Sequence, residues 1–140
     1  MSLREQFATN VQKEVQGVEI KYAPNADGSV PTFIISRMGK SNRAYQKALE
    51  RETRPHRRAI DLGTVKAEVA EKLFLDVFAE TIVKGWKNVQ PEADGVNVQY
   101  SKEAAIKLFT ELPELYEDLQ AQAKNASLFR DEAIEDEAKN

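Results

Sequence analysis

The stretch Thr64 to Lys84, TVKAEVAEKLFLDVFAETIVK, decides the fold class. It holds neither proline nor glycine. Val65, Val69, Leu73 and Val77 recur every four residues, Phe74, Phe78 and Ile82 make a second row, and Leu75 and Val83 widen the face. Apolar residues spaced this way predict an amphipathic helix. About twenty residues at 1.5 Å each give about 30 Å of helix. So broad an apolar face belongs to a central core helix. Thr64 is placed to cap its start, and Gly85 to follow its last turn. Glu68 with Lys72, and Glu80 with Lys84, then stand at i,i+4 in the favourable orientation.

Upstream lies a basic helix. Gly39, Ser41 and Asn42 supply a break and an N-cap, and Tyr45, Ala48 and Leu49 follow at i, i+3 and i+4. Arg43, Lys47 and Arg51 surround them, and Pro55 ends the run near Arg54. Further back, Val18, Ile20 and Tyr22 alternate with Glu19 and Lys21, the period of a half-buried strand. Pro24, Asn25, Asp27 and Gly28 mark a turn, and Val30 to Ile35 returns as a second strand, with Pro31 at its edge or start. Residues 18–36 therefore read as a β-hairpin, which needs a helix or another strand behind it. Residues 1–17 form an arm, with a short helical turn over Glu5 to Lys13.

Downstream, Trp86 follows Gly85 and can fold back onto Phe78 and Ile82. It serves either as packing or as a partner-binding anchor. Asp94-Gly95 turns the chain, Val96, Val98 and Tyr100 alternate in a short extended piece, and Ser101 is an N-cap. Ala104, Ala105, Leu108 and Phe109 carry the next helix. Pro113, suited to a first helical position, opens another with Leu115, Tyr116, Leu119 and Ala123 on its buried face. Leu128 and Phe129 are the last apolar anchors, and residues 131–140 read as an acidic flexible tail. The expected architecture is mainly α: a single helical domain over 18–130 with a small N-terminal β-hairpin.

Composition excludes more chemistry than it selects. The 140 residues carry 20 basic and 23 acidic side chains, a formal charge of -3, and no cysteine. Disulfides, thiolate metal sites and cysteine nucleophiles are thereby removed. One histidine, His56, removes paired-histidine zinc sites. It sits among Arg54, Pro55, Arg57 and Arg58, without an orienting acceptor. No phosphate-binding loop is present, and the glycines mark breaks. Glu114, Glu117 and Asp118 line a solvated helical face rather than an acid-base pair. No catalytic, cofactor-binding or metal-binding residues are expected. No apolar run reaches membrane-spanning length, and the first residues do not read as a secretory signal.

The mild net charge conceals an uneven one. Arg37 to Arg58 holds eight basic residues and two glutamates, about +6, whereas Glu111 to Asn140 holds nine acidic and three basic, about -6. The basic run suits an acidic protein partner or, as an alternative, nucleic-acid phosphates. It lacks an aromatic platform or a recognisable reading helix.

The second half carries a family pattern: Gly85-Trp86-Lys87-Asn88-Val89, Asp94-Gly95, Val98-Gln99-Tyr100-Ser101-Lys102-Glu103-Ala104-Ala105, Leu108-Phe109 and Leu112-Pro113-Glu114-Leu115. In order and spacing it resembles the tail assembly chaperones of long-tailed bacteriophages. The hairpin and the Gly39-x-Ser41-Asn42 start of a basic helix extend the likeness over Val18 to Phe129. The resemblance implies a non-enzymatic protein that binds tape measure protein, recruits major tail protein, acts in the host cytoplasm and is absent from the mature virion. It also implies a longer frameshifted product in many members, to which this chain would be the short counterpart. Self-association would cover the hairpin edge. Candidate protein-binding residues are Trp86, Tyr100, Leu115, Arg43, Arg51, Arg54, Arg57 and Arg58.

Overall fold

The computed structural model describes residues 1–130. The acidic tail expected over 131–140 lies outside them. The arm divides into α1 (Leu3–Gln6) and α2 (Val11–Gln16), capped by the side chains of Ser2 and Asn10. β1 (Val18–Lys21) and β2 (Thr32–Ile35) make the hairpin, with Pro31 just outside the second strand. α3 (Arg43–Thr53) starts on the Asn42 cap, whose side-chain Oδ1 accepts from Tyr45 N–H at 3.1 Å. A 3-10 turn (Arg54–His56) carries Pro55 and leads into α4 (Arg57–Asp61). α5 (Ala67–Thr81), β3 (Val83–Lys87), α6 (Lys102–Glu111) and α7 (Pro113–Lys124) follow, and a 3-10 turn (Ala126–Phe129) closes the described chain. The protein is mainly α-helical with a small antiparallel sheet. Ser101 caps α6, and Pro113 opens α7, as their residue types dictate.

The sheet has a third strand that the helical spacing of 64–84 hides. α5 ends at Thr81, and β3 pairs antiparallel with β2, so that β2 lies between β1 and β3. Thr81, Ile82 and Val83 are consecutive β-branched residues, which lose side-chain freedom in a helix and suit a pleated surface. Pairing with β2 then decides against another helical turn. Phe33 stands opposite Trp86 and Ile34 opposite Gly85, with a bulge between Ile34 and Ile35. Gly85 is thus a strand residue and not a helix terminator. Lys84 leaves the helix with it, so Glu80 pairs instead with Arg51 at 2.7 Å and Lys102 at 3.6 Å. Thr64 does not cap α5. Lys66 occupies that position without a capping bond, while Thr64 N–H donates to Ala59 C=O at 2.8 Å and closes the preceding turn.

Residues opposite each other in the register share a face. Val18, Ile20, Phe33, Ile35 and Trp86 therefore look the same way, toward the helices. Against them pack Phe78, Ala79 and Ile82 of α5 and its end, Ala105, Leu108 and Phe109 of α6, and Leu119 and Ala123 of α7. Edge-to-face aromatic pairs tie the layers, with Phe78 5.9 Å from Phe109 and 5.1 Å from Tyr116. Such pairs add about 0.5–1.5 kcal/mol each beyond area burial. α3 packs on the other side of α5 through Ala48, Leu73 and Val77, with Tyr45 touching both clusters. Phe74 and Val69 of α5 remain exposed. The buried Ser36 joins the layers, its N–H donating to Ile82 C=O at 2.8 Å and its hydroxyl to Thr81 C=O at 3.0 Å.

The arm is fastened at the Val18 end of the sheet. Asn10 N–H donates to Phe129 C=O at 2.6 Å, and Lys13 Nζ to Arg130 C=O at 3.0 Å. Gly17, with φ 102°, makes the bend into β1, where an added Cβ would stand 2.9 Å from both Ile34 Cγ2 and Ile35 O. That position combines left-handed backbone with close approach, both of which call for glycine. Glu14 is buried, bonded by the Thr9 hydroxyl and by Arg37 Nη1 at 2.6 Å. Burial pushes its carboxyl up, but hydrogen bonds from Thr9 and Arg37, together with the Arg37 charge, leave it below the ordinary carboxylate value. A carboxyl depressed by folding stabilises above its unfolded pKa, and that contribution disappears as pH falls through the folded value. Acidification from pH 4.5 downward is therefore expected to release the arm before the core. Hydrogen exchange at the Asn10 and Arg37 amides should accelerate with falling pH relative to the core, and Glu14→Gln should remove the pH dependence.

Candidate functional site

The chain between β3 and α6 forms a strap, residues 88–100, fixed at several points. Asn88 takes a left-handed conformation, φ 59°, which asparagine tolerates. Its side-chain nitrogen donates to Val30 C=O at 3.2 Å, and its own carbonyl accepts from Asn25 Nδ2 at 2.9 Å. Asp94 accepts from Val96 N–H at 3.0 Å, closing the Asp94-Gly95 turn. Val98 N–H donates to Val89 C=O at 2.9 Å, and Trp86 Nε1–H to Val98 C=O at 2.8 Å. Tyr100 anchors the strap's end by donating its hydroxyl to Val83 C=O at 2.9 Å. Val96 to Tyr100 makes no regular strand, in contrast to its alternating pattern.

Between this strap and α6 lies a cleft of about 200 Å³. Trp86, Val89, Pro91, Val96, Val98, Ala104 and Leu108 line it, with Glu92, Asp94, Glu111 and Lys107 among its polar contacts. A second hollow of about 130 Å³ shares Val89, Pro91 and Leu108, and adds Tyr22, Pro31, Phe33, Leu112 and Leu115. The floor is thus apolar, and the carboxylates outnumber the single lysine. The two hollows adjoin through the residues they share.

The structure brings three of the sequence candidates to this place. The Trp86 and Tyr100 rings meet edge to face at 5.1 Å, and Leu115 lines the second hollow. Trp86 packs on Phe33 at 5.7 Å rather than folding back onto Phe78 and Ile82, because β3 carries it across the sheet. The arginines lie elsewhere, on α3, the 3-10 turn and α4. Arg51 pairs with Glu80 and with Glu52 at 3.2 Å, and Arg54 pairs with Glu50 at 3.2 Å. Arg43, Arg57 and Arg58 are exposed and form no ion pair among the described residues. Val89 and Val96 line the cleft, and Leu112 the second hollow, without having stood out as candidates. Val96 and Leu112 carry a sequence signal all the same: they are apolar residues beside the turn glycine Gly95 and the helix-opening Pro113.

Titration in and around the cleft is limited. Burial raises the Tyr100 hydroxyl above the ordinary tyrosine value, and burial followed by the Tyr45 charge pushes Tyr116 up to about 12. Both stay neutral at physiological pH. Bonds from the Ser29 hydroxyl and the Gln90 amide hold the exposed Asp27 carboxyl down at about 2. His56 shares a shallow hollow with Glu52 and Asp76 of neighbouring helices, so the fold places carboxylates near a histidine whose sequence neighbours are basic. No group of three or more metal-ligating side chains occurs among the described residues, and none of their helices is long and apolar enough to cross a membrane. What the cleft's geometry favours is burial of apolar side chains against an acidic rim.

The family model described as YdaY prophage protein matches residues 39–140. The chain belongs to the YdaY prophage protein family. It is accordingly a phage-related protein. The YdaY match takes in α3, the core helix, β3, the strap and α6–α7, so every wall of the first cleft lies within it, while β1 and β2 precede it. No curated protein and no solved structure matches the chain.

Proposed function

We propose that this YdaY-family protein is a tail assembly chaperone. It binds exposed apolar helices of tape measure protein, helps recruit major tail protein, and acts without performing covalent chemistry. It works in the host cytoplasm and is left out of the mature virion. The observation that carries this reading is the paired apolar cleft beneath the strap. A helix presenting large apolar side chains at i and i+4 finds two adjoining hollows there. Phage-family membership and the likeness of the Gly85–Leu115 pattern to tail assembly chaperones support the same role.

Val96 and Leu112 are 59% and 45% exposed, so charging them leaves the core intact. Val96→Asp and Leu112→Glu should each weaken client binding by about 2 kcal/mol, roughly thirtyfold, because a carboxylate is desolvated on docking. The test is co-expression with a long, helical, poorly soluble tail protein encoded alongside. The natural chain should keep that protein soluble and co-purify with it, whereas the two variants should not. A client equally soluble without the chain, or retained equally by the variants, would overturn the proposal.

A further inference from the structure

We infer that the cleft also receives the N-terminal arm of a second copy of this chain, with Phe7 as its anchor. The arm displays apolar side chains that its own fold leaves in water: Leu3 is 72% exposed, Phe7 64%, Val11 70% and Val15 57%. The Arg130 guanidinium lies over the Phe7 ring at 5.0 Å and still leaves most of the residue uncovered. Leu3 and Phe7 are four residues apart, the spacing that puts two side chains on one helical face. The cleft and its adjoining hollow offer two apolar sites side by side.

Size and charge agree with that occupant. An apolar cavity of about 150 Å³ accepts a benzene ring, and the larger cleft, about 200 Å³, suits a phenyl group. The smaller hollow, about 130 Å³, suits the leucine. On a helix Arg4 flanks the face that carries Leu3 and Phe7, and Glu5 projects away from it. Arg4 would therefore meet a rim carrying Glu92, Asp94 and Glu111 against Lys107 alone.

The occupant comes from another copy because of where the arm is tied. α2 is held at the Val18 end of the sheet by the Asn10–Phe129 and Glu14–Arg37 bonds. The cleft opens beyond the Trp86–Lys87 end of β3. An arm docked at one end offers its apolar face to a neighbour's cleft at the other. Such an exchange closes into a dimer if reciprocal and builds a ring or chain if head-to-tail. It would also cover the cleft until a client displaces it.

The test uses the full chain alone, so its outcome is separate from client binding. The natural chain should self-associate in sedimentation equilibrium. Phe7→Ser removes the anchor and Val96→Asp damages the cleft; each should raise the dissociation constant at least about tenfold, with unchanged circular dichroism. Because one variant keeps a good cleft and the other a good arm, mixing them should restore a mixed dimer. A natural chain that stays monomeric up to about 1 mM, the weak limit of specific association, would overturn the inference. So would a Phe7→Ser chain that associates like the natural one, or a mixture that stays monomeric.

Discussion

Replacing Phe109 by alanine is expected to destabilise the fold by about 3–5 kcal/mol. Phe109 is fully buried on α6 and touches three other rings: Phe33 at 6.4 Å, Phe78 at 5.9 Å and Tyr116 at 5.7 Å. Those partners belong to β2, α5 and α7, so one side chain joins the sheet to two helices. Alanine would lose the transfer energy of the ring and leave a cavity among residues that cannot all move inward. Lost aromatic pairing adds to it. Small domains have only about 5–15 kcal/mol in total, so the change would remove a large share. Urea denaturation should show a lower midpoint with an unchanged slope. Phe109→Leu, which keeps most of the volume, should cost about 1–2 kcal/mol. Equal losses for the two variants would mean that ring contacts, not volume, dominate.

The helices were legible because burial and capping are both written in local order. The periods of α5, α6 and α7 point to the buried Val77, Phe78, Leu108, Phe109, Leu119 and Ala123. Asn42, Ser101 and Pro113 begin helices for reasons contained in their own side chains. β3 was not legible, since Ile82 and Val83 extend a helical stripe and also suit a strand. Only the unpaired edge of β2, distant in sequence, chooses between them. The cleft shared that difficulty. Trp86, Tyr100 and Leu115 stood out by residue type, but their meeting depends on a strap held by bonds between Trp86 and Val98 and between Tyr100 and Val83.

The basic run is a different case. Its residues are conspicuous in sequence, yet the fold commits several of them internally. Arg37 is occupied by Glu14, Arg51 by Glu80 and Glu52, and Arg54 by Glu50. The exposed pairs contribute little to stability. They nevertheless neutralise part of the field a phosphate backbone would meet.

Trp86→Ala is expected to cost about 3 kcal/mol and to abolish client retention, and Trp86→Phe separates the two effects. The indole contacts Phe33 and Tyr100 and donates to Val98 C=O, so it holds the strap and forms the cleft wall at once. Alanine removes all three interactions; because Trp86 is half-buried, the loss falls at the lower end of the range for large aromatic residues. Phenylalanine retains ring packing and loses one hydrogen bond, about 1 kcal/mol. Its effect on binding depends on what the indole does. If Trp86 acts by walling the cleft, Trp86→Phe should fall by about 1 kcal/mol in urea denaturation and still co-purify with client. If the indole itself is the anchor that a client grips, retention should drop by far more than stability does. The 2.8 Å bond to Val98 favours the first outcome, because an N–H spent on the strap is not free for a partner.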